Sequence, residues 1–99
     1  MEMTLTGHNI EITDPLRAVI EKKFEKIIRH FHNDIIGIHV ILTTQKFNHT
    51  VEAIIRIAGA EVNAKGTSDT MYKAADVMIN KLDRQLRRFK KRLDDRKKD

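Results

Sequence analysis

TDPLRAVIEKKFEKIIRHF, residues Thr13 to Phe31, decides the fold. Its apolar residues Leu16, Val19, Ile20, Phe24, Ile27, Ile28 and Phe31 recur at spacings of three and four, the period of a helix with one buried face. Asp14 is a good N-cap and Pro15 fits the first helical position. The residue before a proline avoids helical angles, so the start is sharply marked. Asn33 to Gly37 ends the helix. One apolar helix face needs a surface to cover, and the segments on either side supply it.

Three strand-like runs follow. In IGIHVILTT, Ile36, Ile38, Val40 and Leu42 alternate with Gly37, His39, Ile41 and Thr43; in TVEAIIRIA, Val51, Ala53, Ile55 and Ile57 alternate with Glu52, Ile54 and Arg56. In AEVNAK, Ala60, Val62 and Ala64 alternate with Glu61, Asn63 and Lys65. Period two gives one buried and one wet face. Ala58-Gly59 suits a tight hairpin, whereas QKFNH reads as a looser loop without glycine. Before the helix, Met3 and Leu5 alternate with Thr4 and Thr6 in a short strand. Gly66-Thr67-Ser68-Asp69 breaks the sheet and caps a long last helix over Ser68–Leu93. A strand returning through a helix to a neighbouring strand makes a right-handed crossover, so the first strand pairs parallel with the second. The expected fold is α+β: a two-layer sandwich in the order β-α-β-β-β-α, with a four-stranded sheet and both helices on one face.

Ninety-nine residues make one domain with a modest core. Without cysteine there is no disulfide framework, thiol nucleophile or thiolate metal site. No run approaches the roughly 20 apolar residues of a membrane span, and the N-terminus lacks a basic start followed by an apolar stretch. A cytoplasmic location is the simplest reading. The formal charge of +5 divides into −2 over residues 1–13, +2 over 14–31, zero over 32–67 and +5 over 68–99, so it is carried by the two helices.

At about 100° per residue, with Met71 at zero, Ala75, Met78, Leu82, Leu86, Phe89 and Leu93 fall within about 60° of it and form a core stripe. Lys81, Arg84, Arg88 and Lys91 fall between roughly 200° and 280°, whereas Asp76, Asp83 and Asp94 cluster near 120° to 140°. The first helix is sorted likewise, with Lys22, Lys23, Lys26 and Arg29 on one flank and Glu21 and Glu25 on the other. Side by side, the two helices are expected to merge their basic flanks into one surface. Charge runs on helices are usually solvated faces laced by i,i+4 pairs. A face serving solubility alone would interleave the signs, and repulsion along a sorted flank costs some tenths of a kcal/mol that a polyanion would offset.

The class of polyanion follows by elimination. A membrane-surface helix needs a free apolar face, which the stripe does not leave. No helix-turn-helix exists to read DNA. The outward sheet positions, including Thr4, Thr6, His39, Ile41, Thr43, Glu52, Ile54 and Arg56, carry no aromatics to stack bases. Recognition of folded RNA through phosphate and shape remains. An enzyme is not indicated. His8, His30, His32, His39 and His49 lack metal spacing, and there is no phosphate-binding loop, nucleophile elbow or carboxylate pair in a cleft, so neither metal nor cofactor is expected. Tyr72 reads as packing, with an exposed ring able to stack on a base as the alternative.

The opening TLTGHNIEITDPLR, the phrase TMYKAADVMINKLDRQL and the order of elements resemble the short-form bacterial ribosome hibernation promoting factors, of the ribosome-associated inhibitor and sigma modulation protein family. The likeness covers essentially the whole chain. It implies a double-stranded-RNA-binding-domain-like fold on the small ribosomal subunit, in the channel of mRNA and of the A- and P-site tRNA anticodons. The implied activity is steric inhibition of translation, with inactive ribosomes stored as dimers under stress and in stationary phase. The family's basic contacts match Lys23, Lys26, Lys81, Arg84, Arg88 and Lys90. With their neighbours the candidate RNA-binding set is Lys22, Lys23, Lys26, Arg29, Lys81, Arg84, Arg87, Arg88, Lys90 and Lys91. Thr70 departs from the family's aspartate before Met-Tyr, which assigns the helix cap to Asp69 or Ser68. The implied partner is the rRNA phosphate backbone of the small subunit, with no DNA, no membrane, and a monomer when free. Residues 1–93 read as one ribosome-binding domain and 94–99 as a short charged tail. The sister inhibitor, which opposes dimerisation through a C-terminal extension, and a non-ribosomal protein masking an acidic partner are the alternatives.

Overall fold

The Thr13–Phe31 stretch is helical from its second residue, and the strands around it pair in chain order. The computed structural model describes residues 2–97, with side chains to 95. It contains β1 (Glu2–His8), α1 (Asp14–Phe31), β2 (Ile35–Gln45), β3 (Asn48–Ile57), β4 (Ala60–Ser68) and α2 (Met71–Lys97). The sheet order is β1-β2-β3-β4. β1 runs parallel to β2, from Glu2 opposite Gly37 to His8 opposite Thr43, and the other two pairings are antiparallel. This is the two-layer β-α-β-β-β-α sandwich.

The departures from expectation are local and lie at element ends. The N-cap of α1 is Thr13, not Asp14: Thr13 is extended, and the Leu16 amide donates to its Oγ1 at 3.3 Å. Asp14 is thereby the first helical residue, where its charge faces the helix dipole favourably. The connection after α1 is shorter than expected, because β2 starts at Ile35; Ile36 then bulges out of register, half exposed, and restores the alternation at Gly37. The segment QKFNH is a two-residue turn rather than a loose loop. Gln45 still pairs with Asn48, and Lys46 takes the left-handed conformation (φ 54°) that glycine usually supplies.

Gly66 does not break the sheet either. β4 continues through it to Ser68, and a Cβ there would run into the Ala74 carbonyl and the Met78 amide. The glycine lets α2 settle directly onto β4. Thr70, rather than Asp69 or Ser68, caps α2, accepting from the Lys73 amide through its hydroxyl at 3.1 Å and from Ala74 through its carbonyl at 3.0 Å. α2 continues through Asp94 and Asp95 to Lys97, so the stretch read as a tail begins as helix; Lys98 and Asp99 lie outside the described residues.

Both helices cover one sheet face. Ile20, Phe24, Ile27 and Phe31 of α1 and Met71, Ala74, Ala75, Met78, Leu82 and Leu86 of α2 are buried against Ile38, Val40, Leu42, Val51, Ala53 and Ile55. Phe89 and Leu93 continue the stripe only half-buried. At 1.5 Å per residue α2 is about 40 Å long, against about 30 Å for β4, so its last turns overrun the sheet. The molecule is correspondingly elongated, 51 × 22 × 20 Å.

Candidate nucleic-acid interface

α1 and α2 each follow an upward strand and run back down the sheet, so they are parallel. Two contacts fix their register: Lys23 lies opposite Asp76, and Lys90 opposite Phe31 and Asp34. Lys23 Nζ donates to Asp76 Oδ1 at 2.5 Å, while Lys90 Nζ sits 3.9 Å from Asp34 Oδ2 and 5.8 Å above the Phe31 ring. The acidic flank of α2 therefore faces α1. Glu21 and Glu25 of α1 face the other way and line a shallow cleft with Met3 of β1, but Arg17 and Lys22 line the same cleft, so Lys22 does not share the flank of Lys23 as expected.

This geometry corrects the expected merger of the basic flanks. Parallel helices sorted in the same sense place the basic flank of one against the acidic flank of the other. Across the helical layer the order is acidic, basic, acidic, basic. The seam between the helices holds Asp76 and Asp83, and Arg87 Nε donates to Asp83 Oδ2 at 3.0 Å. Asp83 Oδ1 is buried without a hydrogen-bond partner among the described residues, so the seam is not fully satisfied.

The ten candidate cations consequently divide. Lys23, Arg87 and Lys90 have acidic partners. Lys22, Lys26 and Arg29 on α1 and Lys81, Arg84, Arg88 and Lys91 on α2 are exposed, with no acidic group within 4.0 Å among the described residues. The four on α2 lie on the flank turned away from α1, and Lys91 stands on the turns that overrun the sheet. Seven cations without an ion-pair partner on one layer attract phosphate strongly, with Glu25 one helical turn from Arg29 and Asp95 one turn from Lys91 as competing acids on their own helices.

The opposite sheet face differs in kind. Its outward residues are mostly threonine and charged residues of both signs, with Ile41 and Ile54 half-buried among them. Thr6 and His39 are hydrogen-bonded at 2.9 Å, and Thr50 and Thr67 at 3.2 Å. It carries no phenylalanine, tyrosine or tryptophan ring, and among the described residues no group of three or more His, Asp or Glu is placed to hold a metal ion.

Residues 3–94 match the Sigma 54 modulation protein / S30EA ribosomal protein family. The chain belongs to this family. It is 39% identical over 93 residues to the ribosome hibernation promoting factor of Salmonella typhimurium, covering 94% of this chain and 97% of that one. Identity to the Azotobacter vinelandii ribosome hibernation promoting factor is 38% over 92 residues, or 93% of this chain and 85% of the relative. Two solved structures share the fold. A ribosomal subunit interface protein from Coxiella burnetii superposes with a TM-score of 0.84 at 34% identity over 91% of this chain and 98% of that one. The N-terminal domain of Thermus thermophilus Protein Y gives a TM-score of 0.81 at 28% identity over 90% and 99%.

Reading the charges from the sequence missed the role of the acids. Asp34, Asp76 and Asp83 decide which cations of this family member stand free, and the sign of the sorting on two parallel helices was sufficient to find Asp76 and Asp83. Asp34, in the turn after α1, carried no such signal.

Proposed function

We infer that the protein is a ribosome hibernation factor that occupies the mRNA and A- and P-site tRNA channel of the small ribosomal subunit, inhibits translation sterically and promotes storage of inactive, dimerised ribosomes. Residues 1–93 form the ribosome-binding domain of a non-enzymatic, cytoplasmic protein that is monomeric when free, and residues 94–99 add a short charged end. The candidate contacts to rRNA phosphates are Lys22, Lys23, Lys26, Arg29, Lys81, Arg84, Arg87, Arg88, Lys90 and Lys91. The seven without acidic partners are expected to carry most of the binding.

The observation that carries this reading is the unpaired basic flank of α2, on a chain aligned over nearly its full length with ribosome hibernation promoting factors. An elongated body with cations along one layer suits a channel walled by RNA: the charges fix it to the phosphates, and its bulk excludes mRNA and tRNA. Such binding is predominantly counterion release, with log K falling by about 0.7 to 0.9 per unit of log salt for each phosphate neutralised. Co-sedimentation with purified small subunits across a salt series tests it, and binding indifferent to salt refutes it. Ribosome profiles with and without the protein read out dimer storage; accumulation of single inactive ribosomes instead would assign the sister inhibitor's role.

A further inference from the structure

The β2–β3 hairpin has features that neither the core nor the basic helices account for. It overruns its neighbours at the sheet end where both helices start: β1 stops at His8, opposite Thr43, and β4 at Ser68, opposite His49, while β2 and β3 continue to the Gln45–Asn48 pair. At the tip stands Phe47, 87% exposed, the most exposed large apolar side chain among the described residues, ahead of Tyr72 at 57% and Ile36 at 52%. The ring takes no part in the hydrophobic core.

The tip is also built to stay in one shape. Lys46 is held at φ 54°, a conformation that side chains disfavour and that persists only where the surroundings impose it. Just below the turn, Thr44 and His49 are hydrogen-bonded across the strands through Oγ1 and Nδ1 at 3.2 Å. Displaying an aromatic ring in water on a strained two-residue turn gives no stability, so its use lies in a contact.

We propose that the hairpin tip is a nucleobase-stacking site, in which Phe47 stacks on an unpaired base of the bound RNA and Lys46 meets an adjacent phosphate. This deepens, and rests on, the proposed binding to the small subunit. Charge favours RNA: between Asp34 and Glu52 the chain has no acid, and Lys46 is its one fully charged residue there. Area favours RNA over a protein pocket. A specific protein interface buries about 800 Å² on each partner, and here Gln45, Lys46 and Asn48 around the ring are exposed and polar. One isolated ring is instead matched to one base, a contact whose removal costs about 5- to 150-fold in affinity.

The chain has no tryptophan, so Phe47→Trp installs a single reporter. Small-subunit binding of the parent, Phe47→Trp, Phe47→Leu and Phe47→Ala is measured, with the emission of Phe47→Trp followed in the same titration. Stacking predicts that Phe47→Trp binds like the parent and is quenched on binding. Leu and Ala should both lose about tenfold, with the salt slope unchanged because the helix contacts persist. Parent-like binding by Phe47→Leu, or a blue shift without quenching, would mean insertion into an apolar protein pocket and overturn the proposal, as would parent-like binding by Phe47→Ala. A second titration of Phe47→Trp uses poly(U) and an RNA duplex of equal length at low salt, with quenching expected for the single strand alone. If the parent ignored small subunits while poly(U) quenched the reporter, the subunit reading would fail and the stacking site stand. Subunit binding without quenching would overturn the stacking site and leave binding to the subunit standing.

Discussion

The two flanks of α2 both carry lysine and arginine, yet these cations behave differently on each. On the outer flank Lys81, Arg84, Arg88 and Lys91 have no acidic neighbour within 4.0 Å among the described residues, whereas on the seam Arg87 is tied to Asp83 and Lys90 leans on Asp34 and Phe31. In sequence five of the six lie within the run from Arg84 to Lys91, with Arg87 and Arg88 adjacent. A helix turns about 100° per residue, so neighbours in a run need not share a surface. What a cation can bind is set by the acids its face meets, and here the outer flank is the available one.

Charge reversal separates the flanks most strongly. Replacing Lys81, Arg84 and Arg88 together by glutamate should reduce small-subunit binding by at least about a hundredfold, since each change removes a phosphate contact and adds repulsion. Folding should stay nearly intact, because exposed substitutions rarely exceed about half a kcal/mol each. The matched reversal of Lys23, Arg87 and Lys90 should weaken binding less and lower Tm more, since it sets like charges against Asp76, Asp83 and Asp34 inside the seam. Equal losses of binding for the two triples, measured by sedimentation beside thermal unfolding, would erase the distinction between the flanks.

Next in size are changes beneath both flanks. Leu82 is fully buried at the middle of the stripe, and Leu82→Ala should cost about 2–5 kcal/mol, a large share of the stability of a domain this size. Gly66→Val should be at least as damaging, because the added side chain would have to displace the backbone of α2 at Ala74 and Met78. Denaturant unfolding measures both. A mild Gly66→Val phenotype would show that α2 can lift from β4 without loss, and with it the flanks would have no fixed orientation.

Gly66 illustrates what the sequence conceals. As Gly-Thr-Ser-Asp it has the composition of a sheet break, yet the glycine is needed because a helix lies against it, a contact some ten residues away in sequence. The element order, the stripes from Ile20 to Phe31 and from Met71 to Leu86, and the parallel pairing of β1 were all legible, because each follows from a short-range period or a connection rule. Lys46-Phe47 was not legible as a turn, since it lacks glycine and a neighbouring hydrogen bond clamps the strands below it. Among the site residues, the sorting of charges was legible, but its consequence needed the parallel course of the helices. With both helices running the same way, the flank carrying Lys23 faces the flank carrying Asp76, and the contact itself sets the register.

Removing one seam acid gives a smaller and more selective effect. Asp76→Asn releases Lys23, whose side chain is 23% exposed in the pair, and should strengthen small-subunit binding by up to a few-fold. Pairs this exposed contribute only about 0 to 1 kcal/mol, so Tm should change little. Weaker binding by Asp76→Asn would mean that the pair positions Lys23 for its phosphate rather than withholding it.

The smallest effect concerns a pair outside both flanks. At the start of α2, Asp69 and Lys73 approach to 3.5 Å with both side chains largely exposed. The Lys73 ammonium, and then the Ser68 hydroxyl that donates to Asp69 at 3.2 Å, hold the Asp69 carboxyl below its ordinary value of 3.8. A carboxyl whose pKa is depressed by folding favours the folded state at pH values above its unfolded pKa. That contribution disappears as pH falls through the lower folded value. Asp69→Asn should therefore lower Tm slightly at neutral pH and make no difference in acid below both values. Concentrated salt at neutral pH should shrink the gap as well, since the pair is open to screening. Thermal unfolding of the two proteins across a pH series checks this. A gap that widened towards low pH would assign Asp69 a role other than its charge, whereas a gap that closes would show how little an exposed pair contributes beside the seam, where Asp76 and Asp83 meet their partners between two helices.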